Sequence, residues 1–302
     1  MIMQNSQKID GVWTAIATPF HNDGAIDYAA WERLLTLQKE AEIKGLVVSG
    51  STGEGPTLTV TEKLSLVKRA RAFLGKDLRI MGGISSSDTA HSMELAQLYE
   101  EAGADSLLVV TPPYNKPNLA GLKLHFSSIG AKVSIPICLY HVPGRTAHKL
   151  DAALLGELCK LGSVQMVKEA SGDLALFAEA VLNSDASYLS GDDTTYLGSL
   201  VYGGKGVISV ISNLFPKEWV AITNAYWKGD TRQMQVLHRI LSPLNKHLYC
   251  ESNPIPLKGA LELLGFCGGY LRAPLAPLSV ANRSLLKKML TKVQQELASL
   301  NG

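Results

Sequence analysis

Cysteine is sparse in this chain. Four occur in 302 residues, at Cys138, Cys159, Cys250 and Cys267, and no two form a Cys-x-x-Cys pair. That spacing excludes a small disulfide-stapled secreted scaffold and points to a reducing, cytoplasmic setting. Metal-ligand spacing is missing as well. The seven His are scattered and no His-Glu-x-x-His run occurs, so no metal is expected. Charge of one sign is not in excess. Lys plus Arg number 29 and Asp plus Glu 27, a net of +2, which gives no electrostatic footprint for nucleic acid or an anionic membrane. No apolar run approaches the ~20 residues of a membrane helix. Met1–Asp10 is polar and lacks the apolar core of a secretory signal.

What is present is apolar mass. Hydrophobic residues make up 46% and charged residues only 19%, enough for a large core and too little charge for a disordered chain. Eight short apolar runs punctuate the sequence: Val12–Ala17, Gly45–Ser49, Arg79–Gly82, Ser106–Thr111, Pro136–Val142, Val164–Val167, Ser187–Ser190 and Gly206–Val210. Most lack period-two alternation, which predicts strands buried on both faces. Helical patterns lie between them, over Asp27–Ile43, Thr59–Leu74, Asp88–Ala102, Asn118–Lys132, Asp151–Lys160, Asp173–Asn183 and Thr194–Tyr202. Thr59 and Glu62 make a capping box, and Gly103 follows the third helix as a C-cap.

Eight consecutive β–α units predict a closed (β/α)8 barrel, the TIM barrel, in the α/β class. An open doubly wound sheet is the rival. The absence of Gly-x-Gly-x-x-Gly after the first strand argues against its dinucleotide-binding form. Beyond Val210 the strands cease. Phe215–Lys228, Asp230–Cys250, Pro256–Leu264 and Ser279–Leu300 read as helices. The expected division is a barrel carrying the active site over 1–212 and a helical C-terminal appendage over 213–302, packed on the barrel or on a partner subunit.

Catalytic side chains of such a barrel sit at the C-terminal ends of its strands. Lys168 ends the sixth run, in step with Val164 and Met166, and so is expected to point into the lumen. Burial there disfavours an ammonium ion and favours the free amine that condenses with a ketone. A lysine snorkelling to water is the plain alternative. Tyr140 ends the fifth run and is either a proton relay or a barrel-filling aromatic. The Gly-Ser-Thr-Gly-Glu-Gly run at 50–55 lacks the Gly-Lys-Ser/Thr ending of a phosphate loop. It can present backbone N–H groups to a carboxylate or simply be a tight turn. Arg145, after Pro143 and Gly144, suits bidentate capture of a carboxylate or is a surface arginine. Asp192 and Asp193 read as caps of the helix beginning at Thr194.

Taken together, these pieces resemble the dihydrodipicolinate synthase / N-acetylneuraminate lyase family. The carriers are Gly-Ser-Thr-Gly-Glu at 50–54, Thr-Pro-Pro-Tyr-Asn at 111–115, Tyr140 with Val-Pro-Gly-Arg-Thr at 142–146, Val-Lys-Glu-Ala-Ser-Gly at 167–172, Gly-Asp-Asp at 191–193 and Gly-Val-Ile-Ser-Val at 206–210. They stand in the family's order and spacing. The resemblance runs from about Gly11 to the C-terminus and includes Glu-Ser-Asn-Pro-Ile-Pro at 251–256 and Leu-Arg-Ala-Pro at 271–274.

The resemblance implies a pyruvate-type aldolase that forms a Schiff base on Lys168 and needs neither metal nor other cofactor. It implies Tyr140, Ser51 and Tyr114 as a proton relay, with Tyr114 reaching into a neighbouring subunit of a homotetramer built as a dimer of dimers. It implies Thr52 at the keto-acid carboxylate, Gly191 among the substrate-binding residues, and Ile208 touching substrate through its backbone. Arg145 and the Tyr114–Asn115 pair favour the synthase branch, whose acceptor is aspartate semialdehyde. Ser51 and His141 depart from that branch's usual residues. Another keto-acid aldolase, acting on a sialic acid or a keto-deoxy sugar acid, and a non-catalytic keto-acid-binding barrel stay open as rivals. The expected partners are small molecules, with no nucleic acid and no membrane.

Overall fold

A computed structural model describes residues 9–300 of the chain. The polar opening stretch read for a signal therefore lies almost wholly outside the described residues. Eight parallel strands close on themselves in sequence order: β1 (Gly11–Ala15), β2 (Gly45–Val48), β3 (Arg79–Ile84), β4 (Ser106–Val110), β5 (Ile137–His141), β6 (Val164–Glu169), β7 (Ser187–Ser190) and β8 (Gly206–Ser209). The closing seam sets Gly11 opposite Gly206. A Cβ on Gly206 would sit 2.0 Å from the Gly11 carbonyl oxygen, so the seam closes only around a glycine.

The barrel's outer ring comprises α1 (Tyr28–Glu40), α2 (Val60–Leu74), α3 (Thr89–Glu101), α4 (Leu119–Gly130), a one-turn α5 (Pro143–Thr146), α6 (Ala152–Cys159), α7 (Leu174–Leu182), α8 (Tyr196–Val201) and α9 (Pro216–Lys228). Short polar residues fix the starts. Asp27, Asn118 and Asp151 each accept a first-turn amide, and Thr59 and Glu62 complete their capping box. Each such cap stabilises its helix by ~1 kcal/mol. The helices α10 (Thr231–Leu241), α11 (Pro243–Leu248), α12 (Ile255–Leu263) and α13 (Val280–Leu300) follow. Helix α9 lies against β1 and α1, and α13 lies against α10, α11 and α12.

Two apolar layers hold the fold. Between strands and helices lie Leu46, Ile80, Leu107, Leu139 and Val167 from the sheet, packed with Trp31, Phe126, Leu155, Phe177 and Trp219. Inside the lumen lie Trp13, Val47, Met81, Leu108, Cys138, Met166, Leu189 and Ile208. Strands buried on both faces explain the unbroken apolar runs of the sequence. Each fully buried Leu, Val or Phe contributes roughly 1.5–3 kcal/mol, so the barrel is a rigid frame for the groups at its rim.

Three details differ from the sequence reading. Asp230–Cys250 is not one helix but α10 and α11, because Pro243 has no N–H and its ring would clash with the preceding turn. The short α5 was not expected; Pro143 opens it at a position where a missing N–H costs nothing. Val164 faces the outer layer rather than the lumen. The register shifts between Ile137 and Cys138, whose partners are Val164 and Met166, so Gln165 is the extra residue and the inward alternation begins at Met166.

Candidate active site

Past that irregularity, alternation puts Met166 and Lys168 of β6 inside the barrel and Val167 and Glu169 outside. On β5 it puts Cys138 and Tyr140 inside and His141 outside. Tyr140 and Lys168 are direct register partners. The Lys168 Nζ lies 4.3 Å from the Tyr140 ring centroid, and the two residues are only 6% and 8% exposed. They form the floor of a cavity of about 750 Å³ at the C-terminal end of the strands. Ser51, Thr52, Arg145 and Gly191 line the same cavity. Gly191 makes room for the lysine, because a Cβ there would stand 2.6 Å from the Ala170 Cβ and 2.9 Å from the Lys168 Cε. Below the lysine, burial pushes the Cys138 thiol up to about 12 while Lys168 pulls it back, so Cys138 is packing rather than a nucleophile.

The 50–55 loop is braced from beneath. Its Gly55 amide closes onto the Gly50 carbonyl at 3.0 Å and its Glu54 amide onto Ser51 at 3.2 Å. Glu54 holds a left-handed φ of 53° and pairs, fully buried, with Lys258 of α12 at 3.2 Å. Burial pulls the Lys258 ammonium below its ordinary value and Glu54 opposes that pull. Lys258 also donates to the carbonyls of Thr18 and Tyr270, at 2.6 and 2.9 Å. Thr18 in turn donates to Gly53 at 2.7 Å, and the Arg272 amide donates to Glu54 at 3.0 Å. One buried ion pair thus ties the loop to α12 and to the segment after it.

The rim is closed by residues between α11 and α12. Tyr249, Cys250, Glu251, Ser252 and Asn253 all line the cavity. The Asn253 side-chain Nδ2 donates to Thr52 Oγ1 at 2.9 Å, and its backbone carbonyl accepts from the Arg145 guanidinium at 2.8 Å. Asn253 therefore bridges the Gly-rich loop and the loop carrying Arg145. Glu251 accepts from Ser279 and Asn282, which fastens this segment to α13.

Asp192 is not the cap of a helix at Thr194: α8 begins at Tyr196 with Thr195 at its N-cap, and Asp192 braces the turn before it by accepting from the Thr194 amide at 2.8 Å. Asp193 is not a cap either. It is buried and accepts from the amides of Val210 and Ile211, at 2.9 and 3.0 Å, fixing the end of β8. Burial raises its carboxyl above the usual carboxylate range against the pull of those amides. The Tyr249 hydroxyl faces the same carboxylate at 3.5 Å, and burial beside Asp193 and Asp192 raises that phenol well above its ordinary value.

Two expected residues stand apart. Tyr114 is 91% exposed, with a left-handed φ of 68°, and does not line the cavity. Ile208 is a wall of the lumen core, and Val210 lines the cavity at that strand's end. Sequence reasoning missed Tyr249 and Asn253. Tyr249 carried no signal inside what read as a helix. Asn253 stood in a noted motif, immediately before a proline, without an assigned role.

Comparison with known proteins fits this arrangement. The sequence model of the Dihydrodipicolinate synthetase family matches residues 8–293. The chain belongs to that family. A relative called 4-hydroxy-tetrahydrodipicolinate synthase from Methanococcoides burtonii is 39% identical over 287 residues, spanning 94% of this chain and 98% of the relative. The solved structure of the 4-hydroxy-tetrahydrodipicolinate synthase from the thermoacidophilic methanotroph Methylacidiphilum fumariolicum SolV superposes with a TM-score of 0.94 at 39% identity, covering 97% of this chain and 99% of that one. A dihydrodipicolinate synthase from Acinetobacter baumannii, described as chloride inhibited and complexed with pyruvate, superposes with a TM-score of 0.92 at 33% identity over 95% and 99% of the two chains. Among the described residues of this family member, no three His, Cys, Asp or Glu side chains cluster to hold a metal ion. None of its described helices is long and apolar enough to cross a membrane.

Proposed function

We propose that this chain condenses pyruvate with L-aspartate 4-semialdehyde to give 4-hydroxy-tetrahydrodipicolinate, a lyase-type step of lysine and diaminopimelate biosynthesis, through a Schiff base on Lys168. The observation that carries the reading is the buried Lys168–Tyr140 pair on the floor of a cavity whose rim holds Arg145. The relatives' names supply the product, one solved relative is described as complexed with pyruvate, and the aldehyde is the acceptor that the resemblance to the synthase branch implies.

The Lys168 amine adds to the pyruvate carbonyl and water leaves, giving an imine. Its nitrogen draws electrons from the methyl carbon, which loses a proton and becomes an enamine. The enamine carbon attacks the aldehyde, and the new alkoxide takes a proton. The amine of the second substrate then adds to the imine carbon and expels Lys168, closing the ring. One water is released overall, and no cofactor takes part. Tyr140 moves the protons, with Ser51 at the cavity wall and Tyr114 of a second copy completing the relay. An exposed tyrosine on a left-handed backbone suits that use, because such strain is kept where function needs it.

The pyruvate carboxylate rests on the 50–55 loop. The loop's own hydrogen bonds use the Glu54 and Gly55 amides rather than those of Ser51 and Thr52. Thr52 receives a hydrogen bond from Asn253 and so has its own proton to donate. Arg145 takes the carboxylate of the aldehyde. Gly191 and the backbone near Ile208 shape the space around the imine. The protein works as a cytoplasmic homotetramer, a dimer of dimers.

Turnover tests the acceptor. Pyruvate with aspartate semialdehyde should react at least a hundredfold faster than sialic acid or keto-deoxy sugar acids are cleaved. The reverse preference would overturn the reading.

A further inference from the structure

Directly behind the Tyr140–Lys168 pair, on the outer face of the same two strands, lies a second registered pair. His141 and Glu169 are 1% and 3% exposed. The imidazole Nδ1 meets Glu169 Oε1 at 3.1 Å, and Nε2 meets the backbone N–H of Leu150 at 3.1 Å. An amide N–H can only donate, so Nε2 is the acceptor nitrogen and Nδ1 carries the proton given to Glu169. Glu169 Oε1 also accepts the Ser171 amide at 2.8 Å. Every ring nitrogen is therefore used, and the ring's orientation follows.

The position of Leu150 gives this contact its meaning. The chain leaves β5 at His141, makes α5, carries Arg145 over the cavity and returns at Leu150 just before the cap of α6, Asp151. Both ends of the Arg145 loop are thus held on one imidazole. Inside the loop, Val142 accepts from the amides of Arg145 and Thr146, and Ala147 takes a left-handed φ of 55°. These local bonds shape the turn; its far end is held by the packing of the buried Leu150 side chain and by the hydrogen bond from Leu150 to His141 on the barrel strand. Glu169 fixes the ring from β6, beside Lys168.

We propose that His141, held by Glu169, is a positioning residue that sets the Arg145 loop and thereby selects for an aldehyde bearing a carboxylate. It touches no substrate and acts through Arg145. The inference rests on the function proposed above. It requires that loss of the Leu150 bond weaken the aldehyde site and spare the keto-acid site, which is built on the 50–55 loop and Lys168.

The test compares three variants of the full-length protein. His141→Leu removes both bonds. His141→Gln places an amide oxygen near the Nε2 position and keeps an acceptor for Leu150. Glu169→Gln keeps an acceptor for both the imidazole and the Ser171 amide. The result expected is a rise of at least tenfold in KM for aspartate semialdehyde in His141→Leu, with KM for pyruvate changed less than threefold. His141→Gln should restore most of that loss, and Glu169→Gln should lose less than threefold. Should His141→Leu fail to fold, His141→Met replaces it. Its thioether fills the space without a strong acceptor for Leu150, so the same selective rise is expected. Equal rises in both KM values, or a lower melting temperature with both KM values unchanged, would overturn the proposal. Borohydride trapping of pyruvate by the unaltered protein is run alongside. Its failure would count against the Schiff-base reading itself, and its success isolates the role of His141.

Discussion

The Lys168 Nζ lies 4.3 Å from the ring centroid of Tyr140, its register partner on the adjoining strand. An amine held against an aromatic face at the floor of the cavity is fixed in place by the strands themselves, with no loop to order first. Positioning of this kind keeps the reacting atoms near their working geometry. The tyrosine's ring and its hydroxyl can then be separated experimentally.

Tyr140→Phe keeps the ring beside Lys168 and removes the hydroxyl. Imine formation with pyruvate should persist while kcat for condensation falls by roughly 10²–10⁴, the usual worth of a positioned proton donor. Stopped-flow rates and borohydride trapping measure the two separately. A kcat within threefold of the parent would remove Tyr140 from the relay.

Arg145→Ala should raise KM for aspartate semialdehyde far more than KM for pyruvate. Loss of a charge-assisted contact to a carboxylate costs about 1.5–3 kcal/mol, or roughly ten- to a hundredfold. Steady-state kinetics with each substrate varied in turn decide it. Equal effects on both would contradict the assignment.

Gly191→Ala places a methyl group where Ala170 and the Lys168 stem already stand, at 2.6 and 2.9 Å. The lysine stem must shift, since Ala170 is held by its own backbone. We expect a folded protein whose imine formation slows at least tenfold. An unchanged rate of trapping would mean that the lysine has slack the packing does not suggest.

A buried histidine away from the site gives a pH prediction. Burial holds His125 down to about 4 from its ordinary 6.5, with Asp88 opposing. Its Nδ1 meets the Thr89 hydroxyl at 2.9 Å. Between those two values the unfolded chain binds a proton that the folded chain does not. The stability is therefore complete above pH 6.5 and is lost as pH falls toward 4, on the order of 3 kcal/mol in all. Denaturant unfolding at pH 7 and pH 5 should show about 2 kcal/mol of that loss in the parent and a smaller one in His125→Leu. Equal losses would refute it.

Much of this architecture was legible in the sequence. Most of the eight apolar runs are rich in Val, Ile and Leu without alternation, the pattern of strands buried on both faces. Capping residues such as Asp27, Thr59 and Asp151 marked the helix starts where they are found. Lys168 and Tyr140 were readable because strand ends in a barrel point at the site. Less legible were features set by contacts far apart in sequence. Nothing local announces that Lys258 will meet Glu54, or that Asn253 will reach Thr52 some two hundred residues away. Asp193 looked like a cap beside Asp192, yet it turns inward to the amides after β8. Tyr114 shows the limit from the other side. Its exposure in one chain acquires a use only under the proposal that a second copy receives it.

The central claim is that Lys168 carries the chemistry. Incubation with pyruvate and borohydride, followed by peptide mapping by mass spectrometry, tests it most directly. The account predicts one stable adduct, of pyruvate less water plus two hydrogens, on the peptide containing Lys168. It also predicts none in Lys168→Ala, which should fold normally because one strand-end side chain is a small part of so large a core. An adduct on another lysine, or trapping that survives in Lys168→Ala, would contradict it.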